Sequence, residues 1–255
     1  MKLPPLYSII DFSCFAAKPD PISAIVRYAE ELISAGATLI QLRDKSQPEQ
    51  PRRFLSCARE LRRVTLDRAT LIINDRVDIC LAAEADGVHL GQADLSPEAA
   101  RRIFDSVLSH PIAQSLGKSQ LLRERMGHPT NPSGRESMEQ AEGLAVEERD
   151  KKKLPIGFST HNLSQLREAD TFPIDYIAIG PVFATGSKAN PDPVVGLEGV
   201  RQARQVTQKP LVAIGGITRQ NCSQVKAAGA DAVAVISDLL ESPAKAVADF
   251  LRVLG

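Results

Sequence analysis

Apolar positions along the chain fall into short continuous runs, most of which alternate with amphipathic segments of helical period. Four junctions repeat one pattern, in which an Ala-rich or amphipathic helix ends and an apolar run follows it. They lie at 33–43, 81–92, 170–181 and 225–237. Gly36 and Gly229 stand where two of these helices end, a position that favours a left-handed backbone and therefore glycine. The runs themselves are rich in Ile, Val, Leu and Ala, which is typical of parallel strands buried on both faces.

Four further apolar runs interleave with these junctions, at 6–11, 70–75, 155–160 and 210–216. Helices are predicted at 22–34, 51–66, 97–104, 163–169, 199–206, 221–228 and 244–254. Eight strands that alternate with helices in 255 residues predict an α/β protein with a (β/α)8 TIM barrel. A doubly wound parallel sheet is the alternative, but we would expect a G-x-G-x-x-G motif after its first strand, and none occurs.

One segment, 105–153, does not follow this pattern. It contains Pro, Gly, Ser and Asn around 128–134, and it continues as a charged stretch with few β-branched residues. Such a composition has little apolar surface to bury, although its helical tendency is fair. We therefore predict one TIM-barrel domain over 1–255, in which 105–153 is a mobile, partly helical surface insertion between the fourth and fifth strands.

The amino-acid composition argues against several classes of function. The chain has 31 Lys and Arg against 31 Asp and Glu, so no excess of cations favours nucleic-acid binding. Aromatic residues make up only 4% and tryptophan is absent, which leaves few surfaces on which bases could stack. The four cysteines form no C-x-x-C pair and are expected to be reduced. The start lacks a signal-peptide pattern and no apolar run could span a bilayer, so a cytoplasmic protein without membrane contact is expected.

Basic residues end the second predicted strand. Arg43 and Lys45 are two positions apart, so strand alternation places them on the same face as Gln41. Active sites of (β/α)8 barrels form at the carboxyl ends of the strands. Two cations on one face there suit a phosphate or a diphosphate, because Arg offers a fork of donors and Lys a point charge. The alternative is a basic strand end that simply faces solvent.

Acidic residues end the next two strands. Asp75 and Asp94 offer hard oxygen ligands that could hold Mg²⁺ together with substrate phosphates and water. The alternative is that Asn74 or Asp75 caps the helix that follows. Since the two acids would lie opposite the two cations, the combination favours a site for a diphosphate and Mg²⁺.

A second anion site is predicted at the last two strands. Gly215 and Gly216 end the seventh strand and Ser237 ends the eighth, where many barrels bind a phosphate through backbone N–H groups. The loop 180–188 is longer than its neighbours and carries hydroxyls and a lysine, so it is predicted to act as a lid. The residues alone therefore indicate a barrel that binds a diphosphate with Mg²⁺ and a separate monophosphate.

Two histidines stand near these strand ends. His161 lies two positions after Ser159 and is retained as a candidate acid or base. His89 is interpreted as a packed or hydrogen-bonded core residue.

In their order and spacing, several motifs resemble the thiamine-phosphate synthase family. The matching segments are QLRDK (41–45), IINDRVDICLAAEADGVHLGQADL (72–95), GFSTHN (157–162), YIAIGPVFATGSK (176–188), AIGGIT (213–218) and VAVIS (233–237). The resemblance covers nearly the whole chain apart from about 105–153. It implies a transferase of thiamine biosynthesis that joins hydroxymethylpyrimidine diphosphate to thiazole phosphate and releases diphosphate. It also implies a dissociative, Mg²⁺-assisted reaction in which the thiazole nitrogen captures a pyrimidine carbocation.

The same resemblance assigns roles to individual residues. The pyrimidine diphosphate would be bound by Gln41, Arg43, Lys45 and Asn74, with Ser159 and Lys188 on the diphosphate. Mg²⁺ would be held by Asp75 and Asp94. The thiazole phosphate would be bound by Thr185, Ser187, Gly216, Ile236 and Ser237. Within this set, the residues expected to act in catalysis are Arg43, Lys45, Ser159 and Lys188.

Two alternatives accompany this interpretation. One is a thiazole tautomerase-like isomerase, a related barrel that uses a histidine. The other is a non-catalytic sensor of phosphorylated ligands, with the insertion as a partner-binding arm. The joint presence of Arg43, Asp75 and Asp94 favours the synthase. The expected partners are two small-molecule substrates; a homo-oligomer is compatible with the sequence, and neither nucleic acid nor membrane is expected.

Overall fold

The computed structural model describes residues 2–45, 50–109, 153–186 and 192–255. Eight parallel strands form a closed barrel in chain order, and β8 pairs with β1. The strands are β1 (Leu6–Asp11), β2 (Leu39–Arg43), β3 (Thr70–Asn74), β4 (Gly87–Leu90), β5 (Ile156–Thr160), β6 (Tyr176–Ile179), β7 (Leu211–Ile214) and β8 (Ala232–Val235). This arrangement confirms the predicted (β/α)8 TIM barrel.

A helix follows each strand in these parts of the chain. The helices are α1 (Pro21–Ser34), α2 (Pro51–Thr65), α3 (Val77–Ala82), α4 (Pro97–Ser109), α5 (Leu163–Asp170), α6 (Gly196–Val206), α7 (Cys222–Ala227) and α8 (Pro243–Leu254). Two short 3₁₀ helices, Phe12–Phe15 and Ser237–Leu239, follow β1 and β8 directly. None of the helices in the described ranges is long and apolar enough to cross a membrane.

Local sequence signals explain several of the helix ends. Asp20 caps α1, where its carboxylate accepts a hydrogen bond from the backbone N–H of Ser23 at 3.1 Å. Asn162 caps α5 in the same way through the N–H of Gln165 at 2.9 Å. Gly36 follows α1 with a φ of +105°, as its place in the first junction predicted.

The inward-facing side chains change from apolar to polar along the barrel axis. On the inner face of β2, Leu39 belongs to the apolar core, whereas Gln41 and Arg43, nearer the carboxyl end, line a cavity. The core consists of Leu3, Tyr7, Ile9, Leu39, Ile72, Tyr176, Ala178, Val212, Ala232 and Ala234. Several of these side chains also line the cavity, so the apolar core forms its floor.

The chain divides into two compact units. Residues 1–100 and 155–255 form the barrel unit, and 101–154 form the second. Within the second unit, Arg101 Nη1 donates a hydrogen bond to the carbonyl oxygen of Leu154 at 2.9 Å. The first residues of the predicted insertion, 105–109, belong to α4, and 110–152 lie outside the described residues, so the mobility and helical content predicted there stay predictions.

The four cysteines are free, as the absence of a disulfide pattern predicted. Cys57, Cys80 and Cys222 are buried, and Cys14 is exposed.

Candidate active site

A cavity of about 370 Å³ opens at the carboxyl ends of the strands, and residues from all eight strands or their following loops line it. Eleven predicted site residues lie together around it: Gln41, Arg43, Lys45, Asn74, Asp75, Asp94, Ser159, Thr185, Gly216, Ile236 and Ser237. Ser187 and Lys188 lie outside the described residues. The lid predicted over 180–188 is described only up to Gly186.

Arg43 and Lys45 both face this cavity, as strand alternation predicted, rather than only the outer surface. Arg43 forms an ion pair with the buried carboxylate of Asp11, which is its partner in the register of β1 and β2. Lys45 Nζ lies 2.6 Å from the Asp75 carboxylate, and its side chain is half exposed. The buried Asp11 carboxylate therefore helps to hold the guanidinium in place, a role that sequence reasoning missed.

The two predicted metal ligands are close neighbours. The side chains of Asp75 and Asp94 lie close enough to interact, and the Asp94 carboxylate accepts the N–H of Gly91 at 2.7 Å. Burial, together with the adjacent Asp94, raises the pKa of Asp75 to about 6, although Lys45 opposes this shift. Two acids held together in this way favour a bound cation, because a cation relieves their mutual repulsion.

The backbone explains why Asp75 faces the cavity. Its φ is +63°, and its N–H donates to the carbonyl oxygen of His89 at 2.7 Å. The helix-cap alternative is wrong, because Arg76 occupies the cap position of α3 and no side chain caps that helix.

The carboxylates of this site suit Mg²⁺ in combination with a substrate. The described residues contain no group of three or more His, Cys, Asp or Glu side chains that could hold a metal by themselves. Mg²⁺ usually binds through one or two carboxylates, with substrate phosphates and water completing the octahedron. The pair of Asp75 and Asp94 beside Lys45 and Arg43 fits that type of site.

A chain of hydrogen bonds joins five side chains at the floor of the cavity. Gln41 Nε2 donates to the hydroxyl of Tyr7 at 2.7 Å, and this hydroxyl lies 2.9 Å from that of Tyr176. The Tyr176 hydroxyl lies 3.1 Å from His89 Nδ1, and His89 Nε2 lies 2.8 Å from Ser159 Oγ. Burial lowers the pKa of His89 to about 4, so the imidazole is neutral near pH 7. The interpretation of His89 as a hydrogen-bonded core residue is confirmed, but the two tyrosines were missed.

The opposite side of the cavity carries the glycine turn. Gly215 and Gly216 have φ values of +102° and +63°, and a Cβ on Gly216 would lie 2.5 Å from the carbonyl oxygen of Ala184. The side-chain amide of Asn221 donates to the carbonyl oxygen of Gly216 at 3.0 Å and fixes the turn. Within the described parts of the chain, the backbone N–H groups of Gly216 and Ser237 have no acceptor. Free N–H groups at a glycine turn are suited to bind a phosphate.

His161 also lines the cavity. Its Nδ1 lies 2.9 Å from the carbonyl oxygen of Gly180 and 3.5 Å from the Asp192 carboxylate. Nδ1 is therefore the nitrogen that donates to the protein. A role of His161 as acid or base stays a prediction.

The fold and the site together define a class, that of (β/α)8 barrel enzymes that bind phosphorylated substrates at the carboxyl ends of their strands. Comparison with known proteins narrows this class. The family model described as thiamine monophosphate synthase matches residues 14–118 and 137–239. The chain belongs to the thiamine-phosphate synthase family, whose members are transferases of thiamine biosynthesis.

Individual relatives agree with this assignment. The thiamine-phosphate synthase of Koribacter versatilis is 43% identical over 254 residues, which cover 100% of this chain and 97% of the relative. The thiamine-phosphate synthase of Moorella thermoacetica is 35% identical, over 86% of this chain and 81% of the relative. Among solved structures, the thiamine phosphate pyrophosphorylase of Pyrococcus furiosus matches with a TM-score of 0.69 and 29% identity, over 98% of this chain and 95% of the other.

Proposed function

We propose that the protein joins hydroxymethylpyrimidine diphosphate to thiazole phosphate, which gives thiamine phosphate and diphosphate. The observation that carries this proposal is the presence of two different anion-binding regions in one cavity. One region combines two cations with two carboxylates, and the other is the glycine turn at Gly216 with Ser237. The names of the relatives support the same reaction.

The diphosphate is placed at the end of β2. Arg43 and Lys45 bind its oxygens, and Asn74 and Gln41 hold the pyrimidine ring. Asp75 and Asp94 would hold Mg²⁺. Bound there, Mg²⁺ supplies Lewis-acid stabilisation of the negative charge on the diphosphate. Ser159 and Lys188 contact the departing diphosphate in this assignment.

The proposed reaction is dissociative. The bond between the pyrimidine methylene carbon and the diphosphate oxygen breaks, and the oxygen keeps the electron pair. The thiazole nitrogen then donates its lone pair to the carbocation and forms the new C–N bond. The apolar floor at Ile9, Ala178, Val212 and Ala234 supports this assignment, because it excludes water that would otherwise capture the cation.

The thiazole phosphate is placed on the opposite side, at the ends of β7 and β8. The backbone N–H groups of Gly216 and Ser237 have no acceptor among the described residues, and Ile236 lines the same region. Thr185 and Ser187 are assigned to the same phosphate. This placement leaves space between the two anion sites for the thiazole nitrogen to approach the pyrimidine methylene carbon from the side away from the diphosphate.

An isomerase that acts on the thiazole alone is the second candidate, and His161 at the cavity wall is the observation that favours it. The reaction of such an isomerase requires neither a metal ion nor a diphosphate, so it does not account for the carboxylates of Asp75 and Asp94 beside two cationic side chains. The same pair argues against a sensor that performs no chemistry.

A coupling assay tests the proposed function. Purified protein is mixed with both substrates and MgCl₂, and thiamine phosphate is followed by chromatography with and without EDTA. We expect product with Mg²⁺ and its loss in EDTA. Either no product in the presence of Mg²⁺ or full activity in EDTA would contradict the proposal.

We propose that the segment 105–153 is not needed for catalysis, because every described residue that lines the cavity lies outside it. Deletion of 108–150 should leave kcat within a few-fold of the unaltered protein. Steady-state kinetics, with circular dichroism to confirm folding, would measure this. A folded deletion variant without activity would show that the segment contributes to the reaction.

A further inference from the structure

The hydrogen-bond chain from Gln41 to Ser159 contains two tyrosines to which the proposed function gives no task. Tyr7 and Tyr176 belong to strands β1 and β6, and both are almost completely buried. Their rings pack edge to face, with centroids 6.0 Å apart. Their hydroxyls are the second and third members of the chain, so together they connect Gln41 with His89, both of which line the cavity.

One direction of this chain gives each of its hydrogens an acceptor among the described residues. Either hydroxyl of the Tyr7–Tyr176 pair could donate, but the Tyr7 oxygen already accepts from the amide of Gln41, so the Tyr7 hydrogen has an acceptor here only if it is donated to Tyr176. The Tyr176 hydroxyl then donates its own hydrogen to His89 Nδ1. Nδ1 is therefore the unprotonated nitrogen of the imidazole, and the ring hydrogen lies on Nε2.

The consequence appears at the far end of the chain. His89 Nε2–H donates to Ser159 Oγ, so the hydroxyl hydrogen of Ser159 does not point at the imidazole. Ser159 lines the cavity, and its hydrogen is free to be donated to a ligand there. In the reverse direction, Ser159 would donate to the imidazole and would have no hydrogen for a negatively charged oxygen.

We propose that Tyr7 and Tyr176 are positioning residues that fix the direction of this hydrogen-bond chain, so that the Ser159 hydroxyl donates to an oxygen of the departing diphosphate. This inference rests on the proposed function, since it assigns the recipient of the Ser159 hydrogen. In this proposal the two tyrosines keep their protons throughout the reaction. They act only through the hydrogen bonds that their hydroxyl groups donate and accept. The tautomer of His89 is the measurable sign of the direction.

The first experiment measures this tautomer in the unaltered protein. Long-range ¹H–¹⁵N NMR of protein labelled at histidine distinguishes a protonated ring nitrogen from an unprotonated one. The chain has four histidines, and the signals that disappear in His89→Gln identify His89. We expect Nε2 to be protonated and Nδ1 to be unprotonated. A protonated Nδ1 would overturn the proposal, and this result needs no tyrosine variant to fold.

The second experiment removes one hydroxyl at a time. Tyr176→Phe should lower kcat by ~10- to 100-fold with little change in KM, by analogy with the range found when a residue that orients a metal ligand is lost. It should also broaden or mix the tautomer signals of His89. Tyr7→Phe leaves Gln41 without its acceptor and removes the donor that directs the Tyr176 hydrogen to His89. It should therefore raise KM for the pyrimidine diphosphate and lower the share of the Nε2–H tautomer.

Tyr28→Phe is the matched control. Tyr28 is the third tyrosine of the chain; it is buried, and its hydroxyl has no hydrogen-bond partner among the described residues. Loss of the same atom there should change neither kcat nor KM.

Wild-type kcat in a folded Tyr176→Phe variant would overturn the proposal. Absence of product with the unaltered protein would overturn the proposed function, whereas product formation with a protonated Nδ1 would overturn only this inference.

Discussion

Replacing Asp75 with asparagine should lower kcat by about 100-fold or more and leave the barrel folded. Stabilisation of transition-state charge by a metal ion is worth several kcal/mol, and about 1.4 kcal/mol corresponds to a tenfold change in rate. Asparagine tolerates the left-handed backbone of this position, where φ is +63°, and it keeps the N–H that bonds His89. The substitution therefore removes one of two adjacent carboxylate charges, together with the ion pair that this carboxylate forms with Lys45.

The measurement is steady-state kinetics across a MgCl₂ titration, with thermal unfolding as the check on folding. Asp78→Asn is the control, because its carboxylate is 63% exposed and pairs with Arg76 outside the cavity. The control should behave as the unaltered protein does. Unchanged activity and unchanged Mg²⁺ dependence in Asp75→Asn would remove Asp75 from the metal site.

Replacing Gly216 with alanine should lower kcat/KM for the thiazole phosphate by about 100-fold and affect the pyrimidine diphosphate less. Alanine in a left-handed conformation costs about 1 kcal/mol, and its Cβ would lie 2.5 Å from the carbonyl oxygen of Ala184. Since that oxygen belongs to the backbone, either the turn or the facing loop must shift. A shift moves the Gly216 N–H away from the phosphate.

Gly196→Ala separates backbone strain from the loss of binding. Gly196 has a φ of +66°, close to that of Gly216, but a Cβ there would meet no atom within 4 Å. It lies at the start of α6 and is not among the described residues that line the cavity. The control should lose some thermal stability and keep its KM values. An unchanged KM for the thiazole phosphate in Gly216→Ala would contradict the assignment of this turn.

Much of the site could be predicted because it follows from the two-residue alternation of side chains along a strand and from the location of residues at strand ends. The alternation of β2 places Gln41, Arg43 and Lys45 on one face, and a barrel brings every strand end to the same opening. A pair of glycines at the end of β7 shows directly where a left-handed turn can form. These features depend on residues that are near each other in the sequence.

The features that were missed depend on contacts across the barrel. Asp11 meets Arg43 because the register of β1 and β2 pairs these two residues, and a sequence does not show its register. Tyr7 and Tyr176 are 169 positions apart, and their hydroxyls meet only because strands β1 and β6 face each other across a closed sheet. An aromatic residue in an apolar run is otherwise typical of a core position.

The pairing of β8 with β1 has a consequence for synthesis of the protein on the ribosome. Leu6 lies beside Val233 in this pairing, so the first strand has no partner on one side until the last strand has been made. The same late strand leads into Ile236 and Ser237, and the early strand supplies Tyr7 and Ile9 to the same cavity. A nascent chain therefore presents no complete cavity to either substrate. A ligand stabilises a folded state only if that state contains its binding site. Substrate binding can therefore stabilise the barrel only after β8 has been made and has paired with β1.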